Sequence, residues 1–356
     1  MGLNNDFYSV FKGKRILVTG HTGFKGSWLA FWLQKLGAEV LGYALPPLRE
    51  YDHFNLLHLD QHIKHIEANI LDIKQLKKII GDFKPEILFH LAAQALVRIS
   101  YDQPKETFDV NVGGSINVLD CVRSCESIRA LIYVTSDKCY RNKEWIWGYR
   151  ENDELGGHDP YSSSKAAAEI VFSAYMNAFF QHRNDLGVAS VRAGNVIGGG
   201  DWAFDRIVPD CVRALKAKKP VVIRNPHAVR PWQHVLEPLS GYLKLAAMLL
   251  TDPTGFSGAW NFGPQNEHTV TVEDLAKKII SEFGYGEIDY KPDLVFKKET
   301  NILRLNCDKA NTQLQWFPKW NVDDGINYTI DWYKRYLMGQ SVLDLTNNDI
   351  EKYLED

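Results

Sequence analysis

Tyr161 and Lys165 stand four residues apart in Pro160-Tyr-Ser-Ser-Ser-Lys165, at the start of an alanine-rich stretch that runs to Ala178. Residues with that spacing share one face of a helix. An ammonium held beside a phenol favours the phenolate and draws its pKa down from ~10. Tyr161 is therefore a candidate general base for a hydroxyl proton. Earlier in the chain an apolar run, Ala130 to Thr135, delivers Ser136-Asp137-Lys138 to its end, placing an acid beside a base. Read alone, that triplet is an ion pair closing a strand; beside Tyr161 and Lys165 it reads as proton-transfer machinery.

A second group of residues is built for phosphate. Gly20, Gly23 and Gly26 lie three apart in Gly20-His21-Thr22-Gly23-Phe24-Lys25-Gly26, between the β-branched run Ile16 to Thr19 and a helical pattern at Trp28, Leu29, Phe31, Trp32, Leu33 and Leu36. Such glycines allow a sharp turn, a close backbone approach to a pyrophosphate and tight packing of helix on strand. The helix N-terminus then offers unpaired N–H groups and partial positive charge. His21 places a bulky imidazole in this loop and is expected to alter how tightly a dinucleotide is held.

The elements that must carry these residues alternate between short strands and longer helices, which predicts a parallel α/β sheet. Strands are expected at Glu39 to Leu45, Ile66 to Ile70, Ile87 to Leu91, Ala130 to Thr135 and Ala189 to Arg192, with helices from Ile73, from Asn111 to Cys125, and from Thr271 to Phe283. Small residues follow the run from Ile87 as Leu91-Ala92-Ala93-Gln94, where a cofactor can pass closely. At the end of the second strand, where an acid usually holds a ribose, the chain reads Tyr43, Ala44, Leu45; Arg49 lies past a double proline, so NAD and NADP are not separated by these residues. His58, His62 and His65 lack a completing carboxylate or thiolate set, and no metal is expected. Cys121 and Cys125 read as core thiols.

The 356-residue chain carries a formal net charge of −3, which suggests neither a nucleic-acid surface nor an acidic tail. No apolar run approaches the ~20 residues of a membrane span. The opening Met-Gly-Leu-Asn-Asn-Asp has no apolar signal core, and Asp6 stands where myristoylation wants Ser or Thr. Five cysteines without Cys-x-x-Cys fit a reducing compartment, so a cytoplasmic protein is expected.

Taken together the glycine loop, Asp72, Leu91-Ala92-Ala93, Asn111, Tyr161 with Lys165, and Asn261-Phe-Gly-Pro264 make this chain resemble the extended short-chain dehydrogenase/reductase family over nearly its whole length. The resemblance implies a doubly wound parallel (Rossmann) sheet binding NAD, with a smaller C-terminal α/β domain closing over a nucleotide sugar. It implies a nucleotide domain of residues 1–190 with 232–260 returning to it, and a substrate domain of 191–231 and 261–356. Asp72 would meet the adenine amino group, Leu91, Ala92, Ala93 and Asn111 would lie along the cofactor, and Tyr161 and Lys165 would bracket the nicotinamide ribose. Gln94, Asn195, Arg206, Arg230 and His234 would face the nucleotide sugar. Family members pair through two long helices, here those following Asn111 and Tyr161, implying a homodimer or a tetramer, with no nucleic-acid or membrane partner.

Within that family, epimerases carry small uncharged residues after the Ser or Thr of the fifth strand end. Ser136-Asp137-Lys138 instead resembles the acid–base pair of sugar-nucleotide 4,6-dehydratases, with lysine in the glutamate position, and the similarity is to members acting on a CDP-linked glucose. The implied chemistry is removal of the 4-hydroxyl proton by Tyr161 with a nicotinamide accepting hydride, then loss of water across carbons 5 and 6 with Asp137 as acid, then hydride return to carbon 6. Lys138 is either a neutral base at carbon 5 or a charged stabiliser. A dehydratase of UDP-linked amino sugars, a 4-epimerase and a silent nucleotide-binding regulator are the alternatives.

Overall fold

Short apolar runs at regular intervals become the strands of one parallel sheet in the computed structural model, which describes residues 5–265, 270–291 and 303–356. They are β1 (Arg15–Thr19), β2 (Glu39–Ala44), β3 (Lys64–Glu67), β4 (Ile87–His90), β5 (Ala130–Val134), β6 (Gly187–Ala193) and β7 (Gly258–Phe262). Their order is β7-β6-β5-β4-β1-β2-β3, so the winding reverses between β1 and β4 and opens a crevice at their carboxyl ends. The sheet is covered on both faces, which is why β4 and β5 read as unbroken apolar runs.

Alternate residues feed two cores. Ile16, Val18 and Ile132 join the face covered by α1 (Phe24–Lys35) and the returning helix Leu236–Thr251. Leu17, Leu131 and Tyr133 join the opposite face, covered by α2 (Ile73–Phe83), α3 (Ser115–Ser124) and α4 (Pro160–Ala178). Beyond the sheet come α5 (Ile207–Lys216), α6 (Leu236–Thr251), α7 (Val272–Phe283), α8 (Val322–Leu337) and α9 (Val342–Glu355). Thr271 caps α7 through a reciprocal box with Asp274, as the Thr-x-x-Asp spacing predicts.

Two local expectations change. The third strand ends at Glu67, because Ala68-Asn69-Ile70 leave the sheet to line the crevice. Asn111 lies in a π-helical turn, Asp109–Gly114, ahead of α3. The tryptophans near the C-terminus pack back on α6 and α9: Trp316 Nε1 donates to Ser240 Oγ at 3.0 Å, and the Trp320 ring lies 5.0 Å from that of Tyr353. His65 sits in β3 and is hydrogen-bonded to His21, so the three spaced histidines do not share a helix face. No described helix is long and apolar enough to cross a membrane.

Candidate active site

The glycine turn folds as it does because no side chain fits there. Gly20 has φ +77°, and a Cβ added to it would lie 2.6 Å from the Ala92 nitrogen; one added to Gly26 would lie 2.1 Å from the Gly20 carbonyl oxygen. The turn thus closes onto the end of β4. Thr22 Oγ1 donates to the Leu45 carbonyl at 2.9 Å and fastens the same turn to the end of β2. Gly23 caps α1 without a side-chain bond, and no acidic residue stands in the first turn of the helix. Its leading N–H groups are left for an anion in the adjoining cavity. These features fit a dinucleotide pyrophosphate.

That cavity has a volume of about 1260 Å3. Gly20, Thr22, Gly23, Phe24, Lys25 and Gly26 line one end, with Leu91, Ala92 and Ala93 beside them. Ser136, Asp137, Lys138, Tyr161 and Lys165 line its middle, and Asn195, Arg206 and Arg230 its far wall. One space therefore joins the phosphate turn, the proton-transfer cluster and the arginines.

Four residues expected at the site point elsewhere. His21 is fully buried beneath the turn: Nε2 meets His65 Nδ1 at 2.7 Å, and a Cβ on Gly42 would come within 2.3 Å of its ring. Burial, then His65, hold its pKa down to about 3. The glycine beneath it admits the imidazole, so the ring packs on β2 and does not line the cavity. Asp72 caps α2 by accepting from the Gln75 amide at 3.0 Å; Asn69, three residues earlier, lines the cavity in its place. Asn111 spends its amide on the Gln94 backbone, at 2.8 and 3.0 Å, and on Ser164 Oγ at 2.9 Å. His234 is buried with its ring 4.9 Å from Trp320 and 6.0 Å from Trp28. Gln94 does line the cavity, yet its side chain is bonded to Leu96 and Thr107.

Within the central cluster Ser136 Oγ donates to Asp137 Oδ1 at 2.9 Å and accepts from the Lys138 amide at 3.2 Å. Asp137 is 3 % exposed and its Oδ2 has no partner; a Cβ on Gly194 would stand 3.3 Å from that oxygen. Burial pushes the Asp137 carboxyl above the usual range, against the pull of Lys138, Ser136 and Arg230. Burial likewise pushes the Tyr161 phenol up to about 12, opposed by Ser136 and Arg206. This reverses the lowering expected from Lys165: in the protein alone desolvation of the phenolate outweighs nearby cations. Lys165 and Lys25 are each lowered to about 8, chiefly by burial, with Lys165 and Arg206 adding to the effect on Lys25. Arg206 is held by Asp201 at 2.8 Å.

Behind the cluster lies a polar network that sequence reading missed. Glu169 Oε1 and Oε2 accept from Arg192 Nε and Nη2 at 2.9 and 2.8 Å, and also from Thr135 and Ser190. Arg192 continues to the Tyr140 hydroxyl at 2.7 Å, and Tyr140 to Asn261 Oδ1 at 2.7 Å. The signal was present: Glu169 follows Lys165 by four on one helix face, and an arginine inside an apolar strand needs a buried anion.

The model of a family described as GDP-mannose 4,6 dehydratase matches residues 17–329. The chain belongs to that family. Among its relatives, the CDP-glucose 4,6-dehydratase of Salmonella typhimurium is 46 % identical over 97 % of each chain. The CDP-paratose 2-epimerase of Salmonella typhi is 25 % identical over 89 % of this chain and 98 % of its own. The fold also matches a solved dTDP-glucose 4,6-dehydratase of Streptomyces venezuelae, at TM-score 0.78 and 21 % identity over 92 % of this chain and 99 % of that one. Relatives named as a dehydratase and as an epimerase thus both match this chain over most of its length, and the fold alone does not fix which reaction it runs.

Proposed function

We propose that this chain is a CDP-glucose 4,6-dehydratase that converts CDP-glucose to CDP-4-keto-6-deoxyglucose with NAD held at the glycine turn. The observation that carries the reading is the unpartnered Oδ2 of buried Asp137, on a residue that lines one cavity with Tyr161 and Lys165. The Salmonella typhimurium relative, 46 % identical, supports CDP-glucose as the substrate.

Bound NAD supplies a reversible hydride acceptor. Tyr161 would take the proton of the 4-hydroxyl, the positive charge of bound NAD offsetting the burial that holds its phenol high. Elimination of water across carbons 5 and 6 needs an acid at the 6-hydroxyl and a base at carbon 5. Burial raises the Asp137 carboxyl and favours its protonated form, and we assign it as the acid. Lys138, half-buried beside it, is the group we assign to carbon 5, as base or as the charge that stabilises the enolate. Arg206 and Arg230 pair with the substrate diphosphate, to which a forked guanidinium is suited.

We assign residues 1–190 and 232–260 to the nucleotide domain and the remainder to the sugar-nucleotide domain. We also assign a homodimer built on α3 and α4, since Ile116 and Ile170 on those helices are exposed, Ile170 at 59 %. A cytoplasmic setting suits such an enzyme. The test is incubation with CDP-, UDP-, GDP- and dTDP-glucose, followed by the alkali-induced absorbance of a 4-keto-6-deoxy product. Product from CDP-glucose is the expected result; conversion only to a 4-epimer defeats the assignment.

A further inference from the structure

His53 takes no part in the proposed chemistry, yet four segments converge on it. Its Nδ1 lies 2.8 Å from Ser27 Oγ in the first turn of α1, and its Nε2 lies 3.0 Å from Thr346 Oγ1 on α9. Its ring stacks on Trp28 at 5.1 Å and approaches Trp332 of α8 at 6.1 Å. A Cβ on Gly200 would fall 2.3 Å from its Cδ2, so the ring also abuts the glycine loop of the far wall. Trp28 Nε1 donates to the Gly199 carbonyl at 2.9 Å and binds that loop a second time.

The direction of the hydrogen bonds follows from the partners. Ser27 Oγ donates to the Phe24 carbonyl at 2.9 Å, so it can only accept from His53. Burial keeps the imidazole neutral, with its pKa lowered to about 3, and a neutral ring carries one N–H. Nδ1–H therefore donates to Ser27, and Nε2 accepts from the Thr346 hydroxyl. A single chain, Thr346 to His53 to Ser27 to Phe24, runs from α9 into the turn whose N–H groups face the cavity. α9 is itself clamped: Tyr353 donates to Glu237 at 2.8 Å, and Trp320 Nε1 to Asp356 at 2.8 Å.

We infer that His53 is a positioning residue through which the C-terminal helix α9 holds the phosphate-binding turn in its NAD-binding geometry. This rests on the reading of the cavity as a dinucleotide site. Loss of the chain frees the first turn of α1, weakening the hold on the cofactor while leaving Tyr161 and Asp137 in place.

Calorimetric titration of nucleotide-free protein with NAD tests it, using His53→Asn, His53→Gln, Thr346→Val and Thr346→Ser. Asparagine places an amide N–H near the position of Nδ1 and keeps the Ser27 bond; glutamine reaches towards Nε2 and does not. His53→Gln and Thr346→Val should weaken NAD binding by about fivefold, the scale of one neutral hydrogen bond, with kcat at saturating NAD unchanged. Thr346→Ser should bind nearly as the parent does, whereas His53→Asn, which keeps the Ser27 bond but cannot reach Thr346, should weaken binding as Thr346→Val does. Should the glutamine variant fail to fold, the Thr346 pair carries the test. Parental binding in His53→Asn or Thr346→Val, or a loss in Thr346→Ser equal to that in Thr346→Val, overturns the inference. A parent protein that does not bind NAD overturns the cofactor reading itself.

Discussion

Ser136 donates to one oxygen of Asp137, a residue of the cavity wall, at 2.9 Å, and the other oxygen of that carboxyl is buried with no partner. The serine thereby orients the acid and leaves free the atom that a leaving hydroxyl would meet. Asp137→Asn keeps the shape and removes the transferable proton. Its turnover with CDP-glucose should fall by about 10^2 to 10^4, the usual worth of a positioned acid. Reduced nicotinamide should accumulate in the same variant, because oxidation at carbon 4 does not need this group. In the parent, the acid is active only while protonated; its pKa is raised, so activity should fall as pH climbs through that raised value. A pH-rate profile without this alkaline decline, or unimpaired turnover in Asp137→Asn, would contradict the role.

Glu169 and Arg192 form a buried pair 2 % and 4 % exposed at the side chain, tying α4 to β6 directly behind Lys165. Removing one partner leaves the other charge buried alone, at a cost of about 3–5 kcal/mol. Glu169→Gln should therefore lower the denaturation midpoint sharply. The double variant Glu169→Gln with Arg192→Met should recover much of that loss, since no lone charge remains. Urea titrations of the three proteins decide it; equal destabilisation in single and double variants would show that the pair's charge is not what matters.

How much of this was legible beforehand depended on whether a residue's neighbours lie close in sequence. The sheet could be read because β4 and β5 are covered on both faces and must be apolar throughout. The glycine turn and the Tyr161–Lys165 spacing are local, and their residues do line the cavity. The misplaced residues depend on distant partners. His21 turns inward because Gly42 on the adjacent strand leaves room for it, and Asp72 is occupied by capping α2. The Tyr161 phenol sits high because burial is a tertiary property that no four-residue spacing reveals. Arg192 and Glu169 meet across β6 and α4, and nothing in either segment alone names the other.

The glycines of the turn are not equivalent. A Cβ on Gly26 would sit 2.1 Å from the Gly20 carbonyl oxygen, which is backbone and cannot yield; on Gly23 the nearest atom is that same oxygen at 3.4 Å, an ordinary contact. Gly26→Ala should abolish NAD binding and lower the melting temperature. Gly23→Ala should keep the fold within about 0.5 kcal/mol of the parent, as substitutions clear of packed contacts do. The two measurements, calorimetry with NAD and thermal melting, check this together, and a well-folded Gly26→Ala that binds NAD normally would refute it.

Asp349 of α9 is 8 % exposed, its Oδ2 lacks a partner, and burial raises its carboxyl to about 8. The folded protein thus holds a proton that the unfolded chain releases above the ordinary carboxylate range of ~4. Between about pH 4 and 8 the native state binds more protons than the unfolded state, so this group makes stability fall as pH rises, by up to about 1.4 kcal/mol per pH unit. Glu237, raised by burial to about 7 while accepting from Trp320 and Tyr353, acts in the same direction. Asp349→Asn removes one of the two titrations. The urea midpoint of the variant, taken relative to that of the parent, should therefore rise between pH 5 and pH 8, with the two proteins converging at the acid end. Identical pH dependence in the two proteins would mean that Asp349 is already ionised in the fold and that α9 docks without its proton.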